Sequence, residues 1–137
     1  MWNKLKYFSK NEKWGDYKII NGFIILLLEQ IRHDFENKKI SSQLIIHSAY
    51  RSNSSKDNKH STASAVDFHF HNLDFKVAYT ELIKTLNYLQ VHNFIGLGVY
   101  PQWRNPGFHL DIRDKKGRWG QWNNKYCTID YAISKLD

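Results

Sequence analysis

Cysteine is nearly absent: Cys127 stands alone in a chain of 137 residues. One thiol cannot close an internal disulfide, so nothing here demands an oxidising compartment. Long apolar runs are missing too. The longest, FIILLL at 23–28, sits in an amphipathic context and falls far short of the ~20 residues that cross a bilayer as a helix. The opening MWNKLKYFSKNEKW carries positive charge but neither an apolar segment nor a small-residue cleavage site, so no secretory leader is read in it. The expectation is a chain made in the cytoplasm without an export address of its own, or a processed or excised piece. Repeats, low-complexity tracts and Pro/Gly/Ser linkers are also missing, which leaves no place for a domain boundary. One domain over residues 1–137, with room for one core, is the expected organisation.

Acidic residues are in deficit. Thirteen Asp and Glu face twenty Lys and Arg, a net charge of +7. A surface of that sign favours anionic partners, whether nucleic acid, acidic lipid or the anionic polymers of a bacterial wall; a basic surface that merely keeps the chain soluble is the plain alternative. The lysines are spread along the chain rather than gathered, which weighs against nucleic acid. Aromatic side chains, by contrast, are abundant at 15%, within a hydrophobic share of 42%. That composition describes a packed globular protein, not a disordered one.

From Asp16 the pattern is helical. Ile20, Phe23, Ile24, Leu27, Leu28, Ile31 and Phe35 recur at three- and four-residue spacing, an apolar stripe expected to face the core, with Asp16 as N-cap. QLIIH at 43–47 reads as a short buried strand. A long polar loop follows, SAYRSNSSKDNKHSTAS, of a length that is usually functional or disordered in so small a domain. AVDFHF returns to a strand; residues 74–91 form a second helix capped by Asp74, with Val77, Leu82, Leu86 and Leu89 near one face. IGLGVY and GFHLDIR are strands separated by the turn-rich PQWRNPG, DKKGRWG reads as a charged hairpin turn, and TIDYAISKL as a closing helix. This order predicts an α+β fold, a small antiparallel or mixed sheet flanked by helices.

Strand alternation brings the chemistry into view. Asp67, His69 and His71 share one face, and Phe68 and Phe70 the other. In FHLDIR, His109 and Asp111 likewise lie opposite Phe108, Leu110 and Ile112. Two strands, each offering imidazole and carboxylate from one face, can converge on a cation. Zinc suits that donor set, and a catalytic zinc site takes three protein ligands with one position left open. His60, Asp67 and His109 can supply the three, although each histidine taken singly is better explained by solvation or an ordinary hydrogen bond.

SAYRS at 48–52, HSTASAVD at 60–67, GLGVYPQWRNPGFHLDIR at 96–113 and RWGQW at 118–122 together resemble the M15-type zinc peptidases of peptidoglycan. That family includes D-alanyl-D-alanine carboxypeptidases and phage-type murein endopeptidases of the hedgehog/DD-peptidase fold. The opening YFSKNEKWGD is similar as well, so the resemblance covers nearly the whole chain. It implies one zinc ion on His60, Asp67 and His109, and Arg51 near the substrate carbonyl or carboxylate, where a guanidinium can neutralise developing charge; a loop-anchoring ion pair is the alternative for Arg51. It further implies peptide stems of peptidoglycan as substrate, action at the cell wall after phage-type release or export, and a monomer, with anionic wall polymers as further partners.

Two departures stand out. Ala63 and Ala49 replace glycines common in the family, which is harmless provided neither position needs a positive φ. Pro106 occupies the place, three residues before the last histidine, where several members carry a catalytic Glu or Asp. Asp111, either as base or by orienting His109, and His69 as an alternative base are the candidates to make good that loss. Tyr50, Tyr100, Trp103, Trp119 and Trp122 either line a substrate groove or serve as packing. The rival expectations are a zinc-bearing, non-catalytic wall-binding or virion structural domain, and, from charge alone, a nucleic-acid-binding module.

Overall fold

A computed structural model describes residues 1–52, 59–60 and 62–136. The middle of the polar loop, on which the sequence reading placed a functional or disordered segment, therefore lies outside the described residues. Helices α1 (Gly22–Asn37), α2 (Phe75–Tyr88) and α3 (Ile129–Ser134) accompany strands β1 (Leu44–Ser48), β2 (Ala65–Phe70), β3 (Ile95–Tyr100), β4 (Gly107–Ile112), β5 (Gly117–Trp122) and β6 (Lys125–Cys127). The strands form one mixed sheet in the order β1-β2-β4-β3-β5-β6. The fold is thus α+β, as the element order predicts. No described helix is long and apolar enough to cross a membrane.

The helices lie against one face of this sheet. Phe35 of α1 stacks on Phe70 at 4.7 Å, Phe75 of α2 on Phe108 at 4.9 Å, and Ala132 of α3 sits over Gly120. Phe68, Phe108, Leu97, Val99, Leu110, Leu82 and Leu86 fill the space between, all with no exposed surface. Each such side chain contributes roughly 1.5–3 kcal/mol by leaving water. Across the top of the helix pair, Lys38 bridges Asp34 at 3.1 Å and Glu81 at 3.2 Å, and Thr85 donates to Asp34, so the buried polar groups between α1 and α2 satisfy one another.

Several expectations need correction. Helix α1 starts at Gly22, not near Asp16: Asn21 is its cap, accepting from the Phe23 amide at 2.8 Å, while Asp16 accepts from the Lys18 amide in a turn of its own. Phe23, about 100° around the helix from Ile24, and Val77 on α2 face outward, 50% and 45% exposed. Asp74 does cap α2, through the Val77 amide. DKKGRWG is no hairpin turn. The chain leaves β4, passes β3 and adds β5 on its far side, parallel to β3 and paired Gly98 to Trp119, before β6 returns antiparallel.

Candidate metal centre

The face of the sheet away from the helices carries Asp67 and His69 from β2, His109 and Asp111 from β4, and Trp119 from β5. Asp67 and His109 are direct cross-strand partners, and Gly98 of β3 pairs with His109 on its other side. His60 reaches the same point from the loop. It is held by the short turn in which the Ala63 amide donates to the His60 carbonyl at 3.1 Å and the Arg51 amide to the same oxygen at 3.2 Å. Ala63 takes a φ of +59° in that turn. The alanine is therefore not a neutral exchange for glycine: it sits in the left-handed region at a cost of about 1–2 kcal/mol. Ala49 has no positive φ, and at that position the expectation stands.

Three donor atoms meet here. His60 Nε2 is 3.2 Å from both Asp67 Oδ1 and His109 Nδ1, and His109 Nδ1 is 2.9 Å from Asp67 Oδ1. His60 is 2% exposed, and the Asp67 and His109 side chains 13% each. Tetrahedral ligands ~2.05 Å from an ion stand about 3.3 Å apart, so little movement separates this triangle from a coordination shell.

The outer nitrogens settle which atoms point inward. His60 Nδ1 lies 2.6 Å from the Ala49 carbonyl oxygen, which can only accept, so Nδ1 carries the proton and Nε2 presents a lone pair. His109 Nε2 lies 2.7 Å from Asp111 Oδ2. Asp111 has no exposed surface and also accepts from Arg113 Nε at 2.7 Å and Nη2 at 2.6 Å. Burial alone would raise its pKa, but the bonds from His109 and Arg113 hold it well below the usual carboxylate range. It is therefore an anion that accepts from Nε2–H, and His109 Nδ1 also turns a lone pair inward. Two imidazole lone pairs and one carboxylate oxygen converging at about 3 Å repel unless a cation lies between them. His60, Asp67 and His109 can hold a metal ion.

The pKa shifts are those of a centre in which a proton fills that role. Burial would lower the His109 pKa, yet the hydrogen bonds it donates to Asp111 and Asp67 raise it on balance. Asp67, which burial would push up, is brought down to about 2 by His109 and His60.

The other expected site residues distribute unevenly. His69 stands on the face of Asp67, but its partner is His47 of β1, with His47 Nε2 2.6 Å from His69 Nδ1; burial lowers both pKa values. His71 lies beyond the end of β2, exposed, and does not join. Arg51 is exposed at the start of the loop, its amide on His60. Tyr100, Trp103 and Trp119 gather at the site. Tyr100 and Trp103 stack at 4.3 Å, Trp119 lies 5.3 Å from the His109 ring, and Trp103 lies 5.5 Å from His47. By strand alternation Trp122 belongs to the helix side.

Sequence reasoning missed Arg113, His47 and the Ala49 carbonyl. Arg113 was the readable one, since a cation two residues beyond a buried aspartate on the same face is placed to pair with it. The glycines of IGLGVY also acquire a purpose. A Cβ on Gly96 would come within 2.5 Å of Arg113 Nε, and one on Gly98 within 2.5 Å of Trp119 Nε1. Both long side chains lie flat across β3 because the strand offers them no side chains to meet.

No family model matches this chain, and no curated protein or solved structure matches it.

Proposed function

We propose that the protein is a zinc-dependent peptidase that hydrolyses an amide bond in the peptide stem of bacterial peptidoglycan. The observation that carries the reading is the convergence of three lone pairs whose outer partners, the Ala49 carbonyl and Asp111, are already in place. The motifs shared with M15-type peptidases add the substrate class. When bound, the ion supplies Lewis acidity, drawing the pKa of a water toward ~7 and polarising a carbonyl. His60, Asp67 and His109 hold it. In the reaction, water oxygen adds to the carbonyl carbon, the C–N bond breaks, and a proton passes from the water to the leaving amine.

His69, on the face of Asp67 and beside His47, is the side chain we assign to carry that proton. Asp111 is not, because both of its oxygens are occupied by Arg113 and His109; its role is to orient His109. Arg51, exposed and joined to His60 through its backbone amide, is the residue we assign to meet a substrate carboxylate. The basic surface suits an anionic wall, reached by phage-type release or export.

Mass spectrometry of purified peptidoglycan incubated with the protein tests this reading. New fragments that vanish with chelator and return with zinc support it, and their masses name the bond. Pro106, exposed just before β4 and unable to take a proton, favours a second reading, a zinc-bearing wall-binding domain without turnover. Bound zinc with uncut walls of several chemotypes selects that one.

A further inference from the structure

We propose that Tyr100 is a catalytic hydrogen-bond donor whose phenolic O–H stabilises the negative charge that develops on the substrate's carbonyl oxygen. This rests on the peptidase reading and adds to it a residue that the metal-binding motif does not contain.

Tyr100 closes β3 on the site face, two residues beyond Gly98, and Gly98 is the strand partner of His109. Its ring does not stand straight up from its own position. A Cβ placed on Gly98 would lie 2.8 Å from Tyr100 Cε2 and 2.5 Å from Trp119 Nε1. The phenol therefore leans back along the strand, over the glycine that adjoins His109. Trp119, itself 5.3 Å from the His109 ring, donates its Nε1–H to Tyr100 Oη at 2.8 Å. An indole nitrogen can only donate, so this bond occupies a lone pair of the phenol oxygen and leaves the phenol's own proton to give elsewhere. On its face the ring is fixed by Trp103, stacked at 4.3 Å and 10°.

A donor held on its oxygen and on its ring face, at the edge of a cation site, needs no reorganisation when charge appears beside it. That is the condition under which such donors matter most. Burial raises the Tyr100 pKa, so the O–H survives across the working range of pH. That proton is directed at the hydroxyl of Tyr126 on β6, a side chain 73% exposed, so the substrate oxygen takes the place of the Tyr126 hydroxyl as its acceptor. Trp119 thereby becomes a positioning residue, and Gly98 the gap that lets both rings lie where they do.

Tyr100→Phe removes one oxygen and keeps the stacked ring. Its kcat on purified peptidoglycan is expected to fall about 10²-fold with KM within about twofold, and with zinc content and melting temperature unchanged. Calorimetry gives a readout apart from turnover. Affinity for the phosphinate isostere of the bond identified by the digest should fall by a similar factor, while affinity for the cleaved peptide holds. Trp119→Phe, which keeps an aromatic ring but loses the Nε1–H, should give a smaller loss in kcat alone. A Tyr100→Phe protein with wild-type kcat and phosphinate affinity overturns the proposal. So does one whose lost activity is matched by lost zinc or a lowered melting temperature, because the role is then structural. A wild-type protein that cuts no wall sinks the peptidase reading and this proposal together, whereas turnover that Tyr100→Phe leaves untouched sinks the Tyr100 role alone.

Discussion

Replacing Asp111 by asparagine exchanges one buried oxygen for an amide nitrogen, and its consequence can be worked out bond by bond. The carboxylate accepts from His109 Nε2 and Arg113 Nη2 on Oδ2, and from Arg113 Nε on Oδ1. Whichever way the amide turns, its NH₂ faces at least one N–H, so no more than two of those three bonds survive, and the negative charge is lost in either orientation. Hydrogen bonds to charged groups contribute about 1.5–3 kcal/mol. Arg113 is 31% exposed and can turn to water, which keeps the stability cost near the lower end. The larger effect falls on metal binding. Even where the amide oxygen takes the Oδ2 place and still accepts from Nε2–H, the negative charge that held that proton is gone, so His109 is fixed less firmly with Nδ1 inward. Loss of such an orienting partner typically weakens metal affinity 10–100-fold, about 1.4–2.7 kcal/mol. Competition with a chromophoric chelator for zinc at neutral pH measures this directly, and turnover at saturating zinc separates the roles. Recovered turnover at full occupancy is expected of an orienting residue. Lost turnover with wild-type zinc affinity would refute the argument and make Asp111 the general base; wild-type values of both would refute either role.

Ala63→Gly should leave stability nearly unchanged, whereas an alanine-to-glycine change at an ordinary φ would lower it. Relief of the left-handed alanine, about 1–2 kcal/mol, is offset by the extra chain entropy of glycine, about 0.5–1 kcal/mol, and by loss of a buried methyl, about 0.8 kcal/mol, so thermal melting should move by no more than a few degrees. Gly98→Ala should cost about 1–3 kcal/mol and shift the near-ultraviolet circular dichroism, because its Cβ displaces Trp119; an unchanged spectrum would contradict the close approach. For metal-free protein, the His109 pKa is raised, so its contribution to stability is whole below ~6.5 and fades as pH rises through the folded value. Asp67 and Asp111 are shifted downward and contribute above ~3.9, losing that contribution as acid brings the pH toward about 2, where Asp67 titrates. His47 and His69, whose pKa values are lowered, work the other way and cost stability as pH falls below ~6.5. The His109 contribution is therefore read as the melting-temperature difference between chelated wild type and His109→Gln, which should shrink as pH rises toward 8. Zinc reverses the trend: it displaces the His109 proton, so the rise in melting temperature on adding zinc should grow over the same interval. A zinc-induced shift independent of pH would refute the protonation of His109 in the metal-free protein.

Much of the site could be read from period-two alternation. Asp67 and His69 against Phe68 and Phe70, and His109 and Asp111 against Phe108 and Leu110, needed only strand geometry and a buried core on one side, and the structure places them so. What escaped was whatever depends on partners distant in sequence. GRWGQW carries two glycines and no apolar alternation, because Gly120 makes room for Ala132 and the strand packs beneath a helix that comes after it. Its parallel pairing with β3 is a crossover, which no local pattern announces. The α1 boundary failed for a local reason: Asp16 and Asn21 are both good caps, and the intervening turn that buries Ile20 keeps the apolar stripe going before the helix begins. The positive φ of Ala63 was invisible because an alanine announces no such conformation.

The three inward atoms come from positions far apart on the chain: His60 and Asp67 are seven residues apart, Asp67 and His109 forty-two, His60 and His109 forty-nine. With Cys127 alone, the protein has no covalent cross-link. An ion on these ligands ties the loop to β2 and β4 and closes a circuit through α2 and β3. By the chain-entropy relation, a link of that span restricts the unfolded chain by about 4 kcal/mol, as much as a long-range disulfide. Where a disulfide is broken and remade only by redox chemistry, such a link would come and go by a binding equilibrium, so the availability of metal would set how tightly this chain is tied.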